Sequence, residues 1–472
     1  MGVVRRVLVG VMVMCLGVAG VACDNKDGIE VLASGSFPVG AVAGIMMGSE
    51  PAVYVGGSVL TLDGDEVDAR LMLSSEYRNI AWSERVRTQG TGEANRVQLA
   101  DGRLLHARDV VDGTVFPTGD GRIDRIELVA IDLSGDEASA ETLFTAPRIE
   151  EFAIGIVGRD SLVVCRCSEI DASGVRSDDW LSGFLVSADG KVTESWRTPD
   201  TLGDVRSFAL AEESDGVRIG VLTSGWSGES PRLAVFDGQG TLLDELWAAE
   251  AETPRTDRLA ESVFAYDDGT EIGWLVHWAG DSDALTLTSP TDGTREILAG
   301  DHFLVLDVGE LSADSAGDEI VLRVVKVSGG SSEGGEGQDV TSSVEIVTAR
   351  GGKLEILSSR PDVCTEARIV DLDGDGQNEI VGVVPQDLPQ VASHRPVDRL
   401  AVYTVDATGS FVQQLFSPLP VYEMGVMGFD CIDLDGDDAL EVVVSYEMLK
   451  ENGEAEPRVD VLKVSPGGRV IN

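Results

Sequence analysis

The chain has 472 residues, more than one compact core usually holds, so we expect several domains or one architecture built from repeats. Hydrophobic residues make up 43% of it, which excludes a chain that is disordered throughout. Acidic residues outnumber lysine and arginine by 82 to 36, which gives a net charge of −46. This charge argues against binding nucleic acid or anionic lipid and favours cations and cationic partners, although a salt-adapted proteome would have the same composition.

The N-terminus is typical of a bacterial export signal. Arg5 and Arg6 precede an apolar segment, residues 7–22, which is too short to span a membrane comfortably. This segment ends directly before Cys23 and resembles a lipoprotein signal, in which that cysteine is acylated. The leucine usual at the third position before the cysteine is Gly20 here.

The resemblance implies a signal peptide over residues 1–22 and a tether over residues 23–37. Lipid on Cys23 would then anchor the protein in the cell envelope of a bacterium, facing the periplasm or the exterior. The alternative is a plain signal peptide that is cleaved near Ala22 and leaves no anchor.

The cysteine count agrees with export. Four cysteines lie beyond Cys23, at Cys165, Cys167, Cys364 and Cys431. An even number in an oxidising compartment allows two disulfides, in three alternative pairings. Cys165 and Cys167 share one face of a predicted strand and could supply two of the four ligands of a metal site. The four histidines are scattered and there is no second closely spaced cysteine pair to supply the other two ligands, so we expect no zinc site.

Short apolar runs separated by Gly/Asp turns predict strands and hairpins throughout the chain. Glycines of one recurring hairpin fall near residues 64, 135, 190, 238, 293, 352, 409 and 467. Two further apolar runs precede each hairpin, so each unit of about 55 residues contains four strands. Radially repeated four-stranded sheets form a β-propeller. We predict an all-β fold with one propeller over residues 38–472, of eight blades, or of seven if residues 38–75 are not a full blade.

Two stretches, residues 328–343 and 385–397, interrupt this pattern and are predicted to be long loops. The glycines of the first do not fit the G-x-G-x-x-G nucleotide fingerprint, and no strand-then-helix frame surrounds them. With 55 glycines in the chain and no long run of 3.6-residue periodicity, a helical fold is excluded.

Two repeats contain nearly the same acidic loop between their first and second predicted strands. One begins Asp371-Leu372-Asp373-Gly374-Asp375, and the other begins Asp433-Leu434-Asp435-Gly436-Asp437. Carboxylates at loop positions 1, 3, 5 and 9 converge if the chain wraps around a point, and they repel one another unless a cation lies between them. Oxygen ligands of this number favour Ca²⁺, whereas Mg²⁺ needs fewer ligands in stricter geometry. Strands follow both loops, and position 12 is not Glu, so neither loop is an EF-hand.

The loops resemble the FG-GAP/VCBS repeat of integrin-α-like propellers, strongly over residues 360–450 and more weakly over residues 120–360. In that family the loop binds Ca²⁺ on one face, and partners dock on the opposite face or the rim. Position 9 is Glu in both loops here, and the longer side chain should still reach the ion. The implied ligands are Asp371, Asp373, Asp375, the main chain of Gln377 and Glu379, and then Asp433, Asp435, Asp437, the main chain of Ala439 and Glu441.

Other acidic turns keep only part of this pattern. Residues 266–271 and 213–216 form the corresponding turn without the carboxylate triad. Residues 307–319 are acidic but out of register, and the segment around Asp120 keeps half of the pattern. A turn alone therefore does not require four carboxylates, although a solvated acidic turn remains the alternative explanation for the two complete loops.

The sequence contains no persuasive catalytic constellation, because no Ser or Cys can be paired with a His and carboxylates are everywhere. We therefore expect a non-enzymatic binding or scaffold module for an extracytoplasmic protein or glycan, stiffened by Ca²⁺. The alternative is a Ca²⁺-dependent polysaccharide lyase or hydrolase, since some such lyases share this propeller. The tryptophans of the middle repeats are expected between blades, with sugar stacking as the alternative; they are Trp226, Trp247, Trp274 and Trp278.

Overall fold

A computed structural model describes the chain from residue 28 to residue 465 with gaps. The described residues are 28–36, 42–63, 66–72, 96–111, 114–116, 125–135, 138–170, 176–214, 216–223, 230–247, 259–300, 302–311, 317–328, 339–350, 353–386, 397–416, 425–449 and 454–465. They form eight four-stranded antiparallel sheets, which are the blades of a β-propeller. The predicted fold class and the count of eight are thus confirmed. Within the described residues, no helix has the length and apolar character needed to cross a bilayer.

The first strand, β1, spans Gly28–Gly35. The strands of blades 1 to 4 are β2 Val42–Met47, β3 Glu50–Val55, β4 Ser58–Asp63, β5 Glu66–Met72, β6 Leu104–Val111, β7 Thr114–Phe116, β8 Arg125–Asp132, β9 Ser139–Ala146, β10 Arg148–Val157, β11 Asp160–Ile170, β12 Arg176–Val186, β13 Val192–Arg197, β14 Val205–Glu213, β15 Gly216–Thr223, β16 Leu233–Asp237 and β17 Leu242–Glu245. A 3₁₀ turn, Asp200–Leu202, connects blades 3 and 4.

The strands of blades 5 to 8 are β18 Leu259–Asp267, β19 Ile272–Ala279, β20 Ala284–Ser289, β21 Gly293–Ala299, β22 His302–Gly309, β23 Glu319–Ser328, β24 Asp339–Arg350, β25 Lys353–Pro361, β26 Glu366–Val370, β27 Glu379–Gln386, β28 Val397–Val405, β29 Phe411–Phe416, β30 Val426–Ile432, β31 Glu441–Leu449 and β32 Ala455–Ser465. Strand order follows the chain in most blades; in blade 2 it is β7-β6-β8-β9, and in blade 8 it is β1-β32-β31-β30.

Middle strands are buried on both faces because each blade lies between two neighbours. All six residues of β20 are buried, whereas all four residues of β17, an outer strand, are exposed. Burial therefore decreases from the middle strands to the outer strand, which meets solvent at the rim. Within the described residues, the predicted glycine hairpins connect the third and fourth strands of their blades, as at Gly190 between β12 and β13.

The ring is closed by pairing of the two ends of the described chain. Strand β1 pairs antiparallel with β32, from Gly28 opposite Ser465 to Gly35 opposite Val459, and so becomes the outer strand of blade 8. Residues 28–35 therefore belong to the propeller, although residues 23–37 were predicted to be a tether, and the hairpin glycine predicted near residue 467 would have placed the outer strand after it. The observed pairing leaves fewer residues between Cys23 and the propeller, and residues 469–472 lie outside the described residues.

Side chains from two innermost strands bind the backbone of the next blade. Asp307 of blade 6 accepts the Ile369 N–H of blade 7, and Asp430 of blade 8 accepts the Gly44 N–H of blade 1, each at 2.8 Å. Burial raises the pKa of both carboxyl groups to about 6. These bonds satisfy innermost backbone amides that the sheets themselves leave unpaired.

The four cysteines are free and buried, so the two disulfides that the sequence allowed do not form. Cys165 and Cys167 do share a face of β11, with their sulfurs 3.7 Å apart. Residues two apart on an extended strand are about 6.6 Å apart, near the upper limit of Cα separation for a disulfide. The Cys364 thiol instead donates to the Glu366 carbonyl at 3.1 Å.

Three of the four tryptophans in the middle repeats confirm the prediction of packing between blades. Trp247, Trp274 and Trp278 are at most 1% exposed and belong to one cluster between blades 4 and 5. Because their rings are buried, these three tryptophans cannot stack on a bound sugar. Trp226 lies outside the described residues, as do 329–338 and 387–396, the central parts of the two predicted long loops.

Candidate metal centres

The two acidic loops are hairpin connections at corresponding places in blades 7 and 8. In blade 7 the ladder between β26 and β27 ends with Val370 opposite Glu379, and in blade 8 the ladder between β30 and β31 ends with Ile432 opposite Glu441. Each loop thus runs from the end of an innermost strand to a glutamate that begins the second strand. This placement confirms the predicted position of both loops between first and second strands.

The first aspartate of each loop folds the backbone around itself. Asp371 accepts N–H bonds from Asp375 at 3.2 Å and Gly376 at 2.9 Å. Asp433 accepts corresponding bonds from Asp437 and Asp438, each at 3.2 Å. Because these bonds close a tight turn around a carboxylate, the sequence pattern alone produces the wrapped loop that the sequence analysis expected.

Positive backbone φ angles complete both turns. In blade 7, Gly374 and Gly376 have φ of +70° and +82°. In blade 8, Gly436 has φ of +77°, and Asp438 takes the place of the second glycine with φ of +70°. Asp tolerates this left-handed region better than most side chains, but it is still strained there compared with Gly.

The glutamate that begins the second strand has a structural role in three blades. Glu379 Oε2 accepts the Leu372 N–H at 3.0 Å, and Glu441 Oε2 accepts the Leu434 N–H at 2.9 Å. Glu319 makes the same bond to Leu311 at 2.9 Å in blade 6. Sequence reasoning missed this third example because its loop is out of register. In all three, one carboxylate oxygen holds the turn and leaves the other oxygen for a different partner.

Three carboxylates converge in each complete loop. Atoms of Asp371, Asp373 and Glu379 lie within 4.8 Å of one another, as do those of a second group, Asp433, Asp435 and Glu441. Each group is compact enough to hold a metal ion. The described parts of the other acidic turns, including residues 307–311 and 317–319, contribute no comparable group, and the segment around Asp120 lies outside the described residues.

The electrostatics of the blade 7 group favour a bound cation. Burial is the main cause that raises the pKa of Glu379 to about 8, and the charges of Asp373 and Asp375 contribute to this shift. A carboxyl group with such a pKa carries a proton near neutral pH when no other positive charge is present. A cation in the same place would replace that proton and relieve the repulsion.

In blade 8, burial and the charge of Asp435 likewise raise the pKa of Glu441. Glu441 is fully buried, and among the described residues its Oε1 accepts no hydrogen bond of good geometry. A buried carboxylate oxygen without a hydrogen bond is costly, and its charge is balanced here by the Lys463 ammonium, 3.5 Å away.

Lys463 is a feature of the blade 8 loop that sequence reasoning missed. Its Nζ lies 2.6 Å from Asp437 Oδ2, 3.0 Å from Asp435 Oδ2 and 3.5 Å from Glu441 Oε1. Lys463 pairs with Glu441 in the ladder between β31 and β32, so it reaches the loop from the third strand of the blade. A hydrogen bond from this ammonium lowers the pKa of Asp437.

The remaining predicted ligands lie on the same loops. Asp375 Oδ1 accepts the Gln377 N–H at 2.8 Å, and Asp437 Oδ1 accepts the Ala439 N–H at 3.1 Å. The Gln377 side chain is buried and donates to the Val405 carbonyl. The Gln377 amide nitrogen is thus held by β28, and Ala439 has only a main-chain oxygen to offer a metal ion.

The loops of neighbouring blades are joined on this face of the ring. The Asp318 N–H of blade 6 donates to the Asp267 carbonyl of blade 5 at 2.6 Å. The Asn378 side chain of blade 7 donates to the Glu310 carbonyl of blade 6. The turns of blades 5, 6 and 7 therefore form a hydrogen-bonded series.

Two histidines described as scattered in sequence converge in the structure. His277 Nε2 lies 3.6 Å from Asp283 Oδ2, and His302 Nδ1 lies 3.5 Å from Asp283 Oδ1. Asp283 also accepts the Phe303 N–H at 2.9 Å. These contacts connect blade 5 to blade 6 and are separate from the acidic loops.

No family model matches the chain, and no curated protein matches it. Among solved structures, BBS1N in complex with ARL6DN is similar with a TM-score of 0.40 and 10% identity, over 76% of this chain and 92% of that chain. The V. cholerae biofilm matrix protein Bap1 is similar with a TM-score of 0.31 and 9% identity, over 93% of this chain and 91% of that chain. Similarity at this level carries no information about function.

Proposed function

We propose that the protein is an exported, lipid-anchored β-propeller that binds Ca²⁺ in its blade 7 and blade 8 loops and acts as a binding or scaffold module for an extracytoplasmic protein or glycan. The observation that carries the metal part is the convergence of two aspartates and a buried glutamate in each loop. The resemblance of the loops to FG-GAP/VCBS repeats, in which the loop binds Ca²⁺, supports the same proposal.

The donor set favours Ca²⁺ over other ions. Its members are carboxylate and main-chain oxygens, which are hard ligands, and the hairpin loops have the adaptable geometry that six to eight such ligands need. Zinc would require nitrogen or sulfur ligands. In blade 7 the ion would replace the proton on Glu379. An ion in each loop would hold that loop in place and stabilise the folded state by mass action.

Calorimetry with and without chelator tests the metal proposal. At a free Ca²⁺ concentration of about 100 times Kd, binding contributes about 2.7 kcal/mol per site, so EDTA should lower the melting temperature by about 5 °C. The Glu379→Gln variant, which keeps the bond to Leu372, should lose most of the blade 7 contribution. The matched control is Asp268→Asn in the blade 5 turn, where Asp268 accepts the Thr270 N–H at 2.9 Å. A melt unchanged by EDTA in the parent protein contradicts the proposal.

Lipid anchoring depends on Cys23 and is tested separately. Labelling of cells with a radioactive fatty acid should mark the parent protein and not the Cys23→Ala variant, and the variant should leave the membrane fraction. An unlabelled parent with a free N-terminus near Asp24 would favour the plain signal peptide.

The acidic surface predicts a cationic partner, because the net charge of −46 repels anionic polymers. Capture of one cationic envelope protein or glycan by the Ca²⁺-loaded protein, and its loss in high salt, would support a binding module. Formation of cleavage products from a uronic-acid polysaccharide would favour the lyase or hydrolase instead.

A further inference from the structure

Lys463 distinguishes two loops that are nearly identical in sequence. In blade 8 its ammonium lies within 3.5 Å of Asp435, Asp437 and Glu441. In blade 7, Ile380 pairs with Tyr403 as Val442 pairs with Leu462 in blade 8, so the place of Lys463 is taken by Thr404. Blade 8 thus carries its own cation at a position where blade 7 has a neutral side chain.

We propose that Lys463 is a built-in counter-ion that competes with the divalent cation, so that the blade 7 site fills first and the blade 8 site fills only at higher Ca²⁺ concentration. This inference rests on the proposed function, because it assumes that the loops bind Ca²⁺. It assigns Lys463, a residue outside both loops, as the determinant of affinity at one of them.

The ammonium contacts atoms of the blade 8 carboxylate group itself. Asp435 and Glu441 are two of the three residues whose oxygens converge in blade 8, and Lys463 Nζ lies 3.0 Å and 3.5 Å from them. A divalent ion that reaches the same oxygens must displace the ammonium or lie close to another positive charge. Either course weakens binding relative to blade 7.

The burial of Glu441 makes this competition significant. Exposed ion pairs between lysine and carboxylates contribute little, so a lysine at the surface would move aside at almost no cost. Here one of the three carboxylates is fully buried, and the Lys463 side chain is 27% exposed. Attraction within a partly buried group is screened less by water than at the surface. Removing the ammonium therefore leaves a blade 8 site with a higher affinity for Ca²⁺.

Calcium titrations of the mature full-length protein test the inference. In a Glu379→Gln background, which removes the blade 7 site, Lys463→Thr should tighten Ca²⁺ binding to blade 8 at least about tenfold, in line with the loss of a repelling charge. In the parent protein, Thr404→Lys should weaken the tight binding step by a similar factor.

The matched control is Lys191→Thr, since Lys191 forms a 2.7 Å ion pair with Asp189 in an exposed turn of blade 3 and the substitution changes net charge equally. It should leave both binding steps unchanged. The inference is overturned if Lys463→Thr and Lys191→Thr have the same effect, or if blade 8 binds Ca²⁺ as tightly as blade 7 in the parent protein. If neither loop binds Ca²⁺ in any variant, the proposed function itself fails. Should Thr404→Lys not fold, the comparison at Lys463 still decides.

Discussion

The Leu440 N–H donates to the Leu372 carbonyl oxygen across 2.8 Å, and this bond joins the two acidic loops directly. Leu372 is also the residue whose own N–H is held by Glu379. An ion that fixes Glu379 and the adjacent aspartates therefore restrains the acceptor for the blade 8 loop. The two candidate metal centres are parts of one hydrogen-bonded surface, even though each is complete within its own blade.

This connection predicts that filling blade 7 protects blade 8. In a Glu441→Gln variant, which weakens the blade 8 site but keeps an acceptor for Leu434, Ca²⁺ should slow hydrogen exchange of the Leu440 amide about fivefold or more. The Gly300 amide, which is bonded to Asp283 in blade 5, serves as the unaffected reference. Protection confined to residues 371–379 would show that the loops are independent.

The closing strand gives a second prediction. Ala33 is 3% exposed and packs in a cluster with Val53, Val443 and Val461. Ala33→Glu would bury a charge without a partner and should lower the free energy of unfolding by about 3 kcal/mol or more. Ser36→Glu, at an exposed position just beyond β1, should change it by less than about 1 kcal/mol. Urea denaturation measures both. Equal and small effects would mean that residues 28–35 are only a tether.

Local features of the fold and the site could be predicted from sequence, and distant pairings could not. Regular glycine spacing indicates the repeat because hairpins within a blade are local structures, and Asp371 wraps its loop through bonds to residues only four and five positions away. The bond between Ser34 and Asp460 joins residues 426 positions apart, so nothing local indicates it. Lys463 likewise reaches Asp435 only because the third strand lies beside the second. The approach of His277 and His302 to Asp283 depends on two blades packing together.

The strained position in the blade 8 turn gives a third prediction. Asp438 adopts a φ of +70° where blade 7 has Gly376, and its N–H bond to Asp433 does not depend on its side chain. Asp438→Gly should therefore raise the free energy of unfolding by about 0.5–1 kcal/mol, since glycine adopts this region without strain. The reciprocal Gly376→Asp should lower it by a similar amount. Urea titrations without Ca²⁺ measure both, and a loss of stability in Asp438→Gly would contradict the explanation.

The buried carboxyl group of Asp430 gives a prediction about pH. Burial raises its pKa from the usual 3.8 to about 6, against the lowering effects of the Gly44 N–H and Arg368. The folded state therefore binds a proton more tightly than the unfolded state, and this contribution to stability is complete below about pH 4 and is lost as pH rises through about 6. Asp430→Asn keeps an acceptor for Gly44 and removes the titration.

The difference in unfolding free energy between Asp430→Asn and the parent should thus shift in favour of the variant by about 1–3 kcal/mol between pH 4 and pH 7. Comparing the two proteins cancels the titration of the other carboxylates, which are common to both. Urea denaturation at several pH values measures the shift. A difference that is constant, or that moves towards the parent with rising pH, would mean that Arg368 keeps Asp430 ionised in the folded protein. The centre of the ring would then be held by a permanent ion pair and not by a protonated carboxyl group.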